Sequence, residues 1–427
     1  MFLIGCMSPP ALEATATVDA TYGTLVRVAW EQATTELSWV EAEFDGEVVT
    51  TPATVRGAGS AEQLVLGLPY GTDVTLTLYV GSDTYVIETH TDAAPVGVPV
   101  VTSVEGDAAR YDAASPYFLV SVTDGQATTT PMDAGWWVMI VDRRGRVVWA
   151  RPTDTAYTSL HPRVSADGRS LLIDEASWWA GAFDDGAASR IVRMSIDGTI
   201  ASITPTPGLH HPFTDREDGT LVWGARSGSV ETIEVARPWG ERERLWDCTP
   251  WMEQIGARRG DYCGSNTLVW SDARASYLWS SYSFHTIVEI DEEGETLQWY
   301  GAAAGSVPTD PVFHWQHGVH WTPAGTLLVS EHDVAADSEI VVREYAYDGQ
   351  ALTEVWSFGV GDGVLGRYMG EPWRLENGNT LHNTGSEPRI REATADGEVV
   401  WDITWNDGVE RWLGRSTPIL DLYSLLD

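Results

Sequence analysis

Residues 12 to about 95 alternate apolar and polar positions, with turn residues between the runs: "TLVRVAW", "ELSWVEAEF", "QLVLGLPYGTDVTLTLYV" and "TYVIETHT". A period of two with no helical period predicts five or more short strands. Such strands in 12–95 predict a small β-sandwich of the fibronectin type III kind. "DAAPVGVPV" (92–100), with its Ala, Pro and Gly, marks a linker.

Beyond the linker the pattern repeats. Glycine turns recur between strand-like runs, as in "SADGRSLLI", "SIDGTIASI", "REDGTLVWG", "DEEGETLQWY", "TPAGTLLVS", "LENGNTLHN" and "TADGEVVWDI". They group into six blocks beginning near residues 115, 161, 210, 262, 314 and 368. Six all-β blocks of about 50 residues predict a six-bladed β-propeller over 96–427 rather than a solenoid. Trp149, Trp299, Trp356 and Trp401, near block ends, read as packing between blades. "TPWMEQIGARR" (249–259) is the single short helix expected.

Charge narrows the partners. Sixty-two acidic against twenty-six basic residues give a net charge of −36. That field repels nucleic acid and anionic membrane surfaces, and an anionic substrate needs a local cluster of Arg or His to overcome it. No stretch reaches the ~20 apolar residues of a membrane span. At the start, Leu3-Ile4-Gly5-Cys6 resembles a bacterial lipobox, although only five residues precede Cys6. The expectation is an exported protein, periplasmic or at the outer membrane or cell surface. It would meet the membrane only through a lipid on Cys6, with 1–11 as a leader remnant; a frayed hydrophobic N-terminus is the alternative. Cys248 and Cys263 are placed to close a disulfide loop, the alternative being two buried thiols.

The histidines gather at block starts. His161 opens the second block, His210 and His211 the third, and His314, His317 and His320 ("HWQHGVH") the fifth. Inner strands of a propeller line its central channel, so imidazoles from different blades converge there. On an extended strand His314 and His320 share one face and His317 shares the other with Trp315. By the same alternation, one of His210 and His211 faces the axis. Glu331, His332 and Asp333 in "SEHDV" read as a surface turn, and His382 as a residue of the sixth block's second strand.

Four stretches, "GLHHPFTDREDGTLVWG", "DYCGSNTLVW…YLWSSYSFHTIVEID", "FHWQHGVHWTPAGTLLVSEHD" and "EPWRLENGNTLHNTGSEPRIREATADGEVVWDI", resemble the bacterial aryl-sulfate sulfotransferases, as does the closing "GRSTPILDLY" (414–423). The resemblance implies ping-pong transfer of a sulfuryl group from an aryl sulfate to a phenolic acceptor, without a cofactor or metal. Gln316-His317 matches the family's Gln-His pair, which makes His317 the nucleophile and Gln316 a substrate-site residue. His210 and His211 match a further catalytic histidine, and Asn266 a substrate-binding asparagine. Neutral imidazole is a good nucleophile near pH 7 and a good leaving group once sulfated.

The match departs at Pro212, where the family has an acidic residue after the histidine pair, and more seriously at two further places. Gly264 stands where the family has a histidine, and Tyr282 where it has an arginine. Each lost donor to a sulfuryl oxygen costs about 10²–10³ in rate. Tyr282 keeps one hydroxyl donor, and Arg374 or His285 are the expected substitutes. Two other readings therefore stand beside the enzyme. One is a catalytically degenerate surface propeller that binds a ligand or partner. The other is a metal site built from the converging histidines.

Overall fold

The computed structural model describes residues 12–125, 134–179, 185–258, 261–333 and 338–426. Among these residues it is all-β apart from one short α-helix, Cys248–Gln254, and a final turn of 3₁₀-helix. Cys6 lies outside the described residues. The chain divides into two compact units: residues 1–96 with 146–150, and 97–145 with 151–427.

In the first unit the alternating runs become two antiparallel sheets. Ala14–Val18, Val26–Gln32 and Gly59–Val65 form one. Glu36–Phe44 pairs with Asp73–Val80 at the heart of the other. The inward positions of both, among them Val28, Trp30, Val40, Ala42, Leu76 and Leu78, share one apolar core. Alternate exposed positions such as Val55 and Val86 leave the outer faces in solvent.

The second unit is a succession of sheets, mostly four-stranded, each built around antiparallel pairing of consecutive strands. One runs from Arg163–Val164 to Ile200–Pro205, the next from Leu209–Asp215 to Arg242–Asp247, and a third from Ser265–Ser271 to Thr296–Gly301. Two five-stranded sheets follow, beginning at Val319–Trp321 and at Glu371–Arg374. The first strands of neighbouring sheets lie side by side: Leu209–Asp215 beside Ser265–Ser271, and Ser265–Ser271 beside Val319–Trp321. This is the construction of a β-propeller.

Turn chemistry and packing explain the meanders. At Gly325 the turn between strands takes φ 79°, open to glycine without steric cost. At Gly294 (φ 89°) a Cβ would stand 2.0 Å from the carbonyl oxygen of Leu245, so no side chain fits. Tryptophans fill the space between sheets. Trp279, Trp246 and Trp251 share one core with Val222, Leu268 and Val288. Trp401 stacks on Phe118 at 4.9 Å.

Closure is non-local. Leu413–Ile419 pairs antiparallel with Tyr117–Thr123, which pairs in turn with Trp136–Asp142. Ser103–Gly106 joins the last sheet beside Val399–Thr404. A buried ion pair reinforces the junction: Arg143 reaches Glu392, and the Glu392 carboxylate also accepts from the main-chain N–H of Asp112 at 2.7 Å. Arg143 further donates to the carbonyls of Ser115 and Asp112.

Two local expectations fail. "SEHDV" is not a surface turn: Glu331 and His332 are buried in the strand Leu327–Asp333. Arg343 pairs with Glu331 and Asp333 across the strand from the sheet interior, which makes burial of the acids tolerable. The segment "HWQHGVH" is not one extended strand either. Trp315 takes φ 47°, and regular pairing starts only at Val319, so simple two-residue alternation does not apply.

Candidate functional site

The backbone around His317 is held from three sides. His317 N–H donates to Ser330 O (3.0 Å), Trp315 N–H to His285 Nδ1 (3.0 Å) and His314 N–H to Glu331 Oε2 (2.7 Å). Gly318 permits a close approach to the next sheet: a Cβ there would lie 2.7 Å from Glu371 Cα. Gln316 is fully buried, and its side-chain amide donates to Ser281 O (2.9 Å) and Thr286 O (3.1 Å). It braces the loop and does not line the cavity that His317 faces.

That cavity encloses about 400 Å³ within the second unit. His317, His210 and His211 reach it, with Gly264, Ser265, Asn266 and Tyr282. Most of its wall is aromatic or apolar: Trp179, Tyr262, Tyr368, Met369 and Trp412. Among the described residues Arg226 is the cationic side chain of the lining, and no carboxylate lines the cavity. Both His210 and His211 reach the space because pairing of Leu209–Asp215 slips between Leu209 and Phe213, which breaks the alternation expected there.

Hydrogen bonds set the chemistry of the rings. His317 Nδ1 lies 3.0 Å from Trp315 O; a carbonyl only accepts, so Nδ1 carries the proton and Nε2 the lone pair. Among the described residues Nε2 has no partner. Burial first, then the neighbouring His332 and His211 rings, hold His317 well below its ordinary pKa. Burial and the charge of Arg226 bring His210 down to about 3, and burial, His210 and Arg226 depress His211 strongly. The three imidazoles are therefore neutral at physiological pH. The His317 ring meets Tyr282 edge-on at 5.5 Å, and His210 and His211 stand 4.6 Å apart.

Behind the rings lies a polar frame. Glu231 is buried and accepts from Ser265 N–H (2.9 Å), the Ser265 hydroxyl and Trp279 Nε1 (2.7 Å), with His210 Nε2 at 3.5 Å. Asn266 donates to Gln316 O at 3.2 Å. Arg415, from the strand Leu413–Ile419, donates to Asn266 O (2.8 Å), Thr267 Oγ1 and His317 O (3.1 Å), and its other nitrogen pairs with Glu371 at 2.8 Å. One guanidinium thus ties three inner segments together beneath the cavity.

Several expected residues sit elsewhere. Arg374 pairs with Glu344, donates to Gly378 O and lies 5.2 Å over Trp356, and it is not brought to the cavity. His285 contributes through the backbone of Trp315 and does not line the cavity. His320 lines a separate cavity of about 220 Å³ with Arg163, Glu371 and Trp373. His382 is buried in Thr380–Asn383, its Nε2 3.1 Å from Ser330 Oγ. Cys248 and Cys263 are joined in a disulfide next to Tyr262. Among the described residues no group of three His, Cys, Asp or Glu is placed to hold a metal.

No protein-family model and no curated protein matches the sequence. Solved structures do match. A Bacteroides caccae protein of unknown function has TM-score 0.49 and 14% identity, covering 71% of this chain and 99% of its own. A catalytically inactive virginiamycin B lyase from Staphylococcus aureus, solved with quinupristin, has TM-score 0.43 and 9% identity over 73% and 99%. A periplasmic gluconolactonase from Pseudomonas aeruginosa has TM-score 0.42 and 15% identity over 90% and 99%.

Proposed function

We propose that the chain is an aryl-sulfate sulfotransferase-like enzyme in which His317 carries a sulfuryl group from an aryl sulfate to a phenol. The observation that carries this reading is the His317 ring: Nδ1–H is committed to Trp315 O, and an uncharged Nε2 faces an aromatic-walled cavity. The reading also takes the second unit as six blades over 96–427 and the first, 12–95, as a fibronectin-III-like sandwich, in an exported protein.

In the first half-reaction the Nε2 lone pair forms an N–S bond as the S–O bond to the aryl group breaks. The phenolate departs with that electron pair and takes a proton from water. Nδ1 keeps its proton, so the sulfated ring is cationic and a good leaving group. In the second half, an acceptor phenol oxygen attacks sulfur, the N–S pair returns to Nε2, and the phenol's proton passes to solvent. Rings fit among Trp179, Tyr262, Tyr282, Tyr368 and Trp412. Arg226, Asn266, Tyr282 and His211 are the donor-bearing side chains of the lining open to sulfuryl oxygens.

Incubation with 4-nitrophenyl sulfate tests the proposal. Nitrophenol release together with a sulfuryl adduct mapped to His317 is the expected result. No release and no adduct, from protein that still binds the ester, sinks it. That second outcome supports a ligand-binding propeller, which Gly264 and Tyr282, in place of a histidine and an arginine, favour.

A further inference from the structure

Two cationic or donor groups of the resembled family are missing at Gly264 and Tyr282, yet the cavity is not without positive charge. Arg226, at the end of the strand Leu221–Ser227, lines it together with His317. Most arginines of this acidic chain are matched to carboxylates: Arg143 to Glu392, Arg274 to Glu289, Arg374 to Glu344 and Arg415 to Glu371. Among the described residues Arg226 has no carboxylate within ion-pair distance. Its Nε–H donates to Gly228 O at 3.1 Å, and among the described residues no acceptor takes the hydrogens of Nη1 and Nη2.

The guanidinium is nevertheless held in place. Its carbon lies 5.4 Å from the centre of the Trp178 ring and 5.1 Å from that of Tyr262. Cation–π contact fixes the plane of the guanidinium without using its N–H donors. Glu231, which feels its charge, is already occupied by Ser265 and Trp279. The absence of a side chain at Gly264 makes this arrangement fit. A Cβ there would stand 3.0 Å from Tyr262 Cε2 and 3.8 Å from Arg226 Nη1. A larger residue at 264, such as the family's histidine, would press on the ring that positions the arginine.

We infer that Arg226, oriented by Trp178 and Tyr262, is the anion-binding residue of this cavity and selects arenes bearing a sulfate or sulfonate group. The inference rests on the same cavity as the proposed function but not on turnover. A fork of free N–H donors matches the planar face of two sulfonate oxygens, and the aromatic wall receives the ring. The charge lost at Tyr282 has thus been relocated to another blade, and Gly264 is a condition of the move.

Equilibrium binding of benzenesulfonate and of the neutral benzenesulfonamide, followed by calorimetry, tests this. Neither compound can be turned over. Wild-type protein is expected to prefer the sulfonate, and Arg226→Gln to weaken sulfonate binding by about 10- to 100-fold while leaving the sulfonamide within about twofold. Arg226→Lys, which keeps charge but not the fork, is expected to fall between. Equal sulfonate affinity in wild type and Arg226→Gln overturns the inference, as does wild-type protein that binds neither compound. Matching thermal unfolding of the two variants confirms that both are folded. Sulfonate selectivity without a His317 adduct would retain this inference and remove the transferase.

Discussion

His317 Nδ1 points its proton at the carbonyl oxygen of Trp315, two residues earlier, across 3.0 Å. The left-handed turn at Trp315 (φ 47°) brings that carbonyl under the ring. One local contact therefore decides which nitrogen is nucleophilic. Since the ring is also held well below its ordinary pKa, Nε2 stays unprotonated as pH drops through 6.5. Adduct formation is expected to show no acid limb near 6.5, and His317→Asn to abolish the adduct while leaving benzenesulfonate binding. A rate profile from pH 8 to pH 5 checks the first; an inflection at 6.5 contradicts it.

Gly264→Ala is predicted to weaken benzenesulfonate binding by about fivefold or more, because the new methyl displaces Tyr262. Stability should change little, since Tyr262 is partly exposed and can yield. Calorimetry beside a thermal melt separates the two effects.

The Cys248–Cys263 bridge closes a loop with sequence separation 15. On the chain-entropy model Cys263→Ser costs about 3 kcal/mol of stability. Chemical denaturation with and without reductant measures it. Reductant should destabilise the wild type and leave the variant unchanged.

Arg143→Met strands Glu392, whose side chain is fully buried, without its cation. Removing one partner of such a pair costs about 3–5 kcal/mol. The double replacement Arg143→Met with Glu392→Gln should recover part of that loss, read from denaturation midpoints.

Burial and the charges of Arg374 and Arg415 bring His320 down to about 4. An unfolded histidine takes its proton near 6.5, so between pH 6.5 and 4 the unfolded chain binds more protons at this position than the folded one. Stability contributed by the neutral ring is complete above 6.5 and lost as pH falls through that window. His320→Gln should flatten the stability-versus-pH slope there by up to about 1.4 kcal/mol per pH unit. Denaturation at pH 4.5, 5.5 and 7 reads the slope; an unchanged slope contradicts the assignment.

Block starts near 161, 210 and 368 lie within three residues of the observed first strands Arg163–Val164, Leu209–Asp215 and Glu371–Arg374. Those positions were legible because a meander is local: a glycine turn and a two-residue period report on neighbouring strands only. The pairing of Leu413–Ile419 with Tyr117–Thr123 joins segments about 300 residues apart, and no periodicity encodes it. At the site, His317, His210 and His211 were legible from residue type and block position, while Asn266 and Tyr282 were named only through the resemblance to the sulfotransferases. Arg226, Tyr262, Trp179, Tyr368, Met369 and Trp412 were not, since they come from strand ends and loops where no periodic pattern marks which way a side chain points. The free donors of Arg226 depend on there being no carboxylate nearby among the described residues, a property of three-dimensional neighbours. Gln316 misled in the opposite sense, because its position beside His317 hides an amide spent on backbone carbonyls.

Arg415 reaches Asn266, Thr267 and His317 from the strand that also pairs with Tyr117–Thr123. During synthesis that residue leaves the ribosome after every other group of the cavity. A nascent chain lacking it has already made Asn266 and His317, but not the single guanidinium that binds the carbonyl oxygens of both. A chain terminated before residue 415 therefore carries the histidines without the cation that joins the segments bearing Asn266, His317 and Glu371.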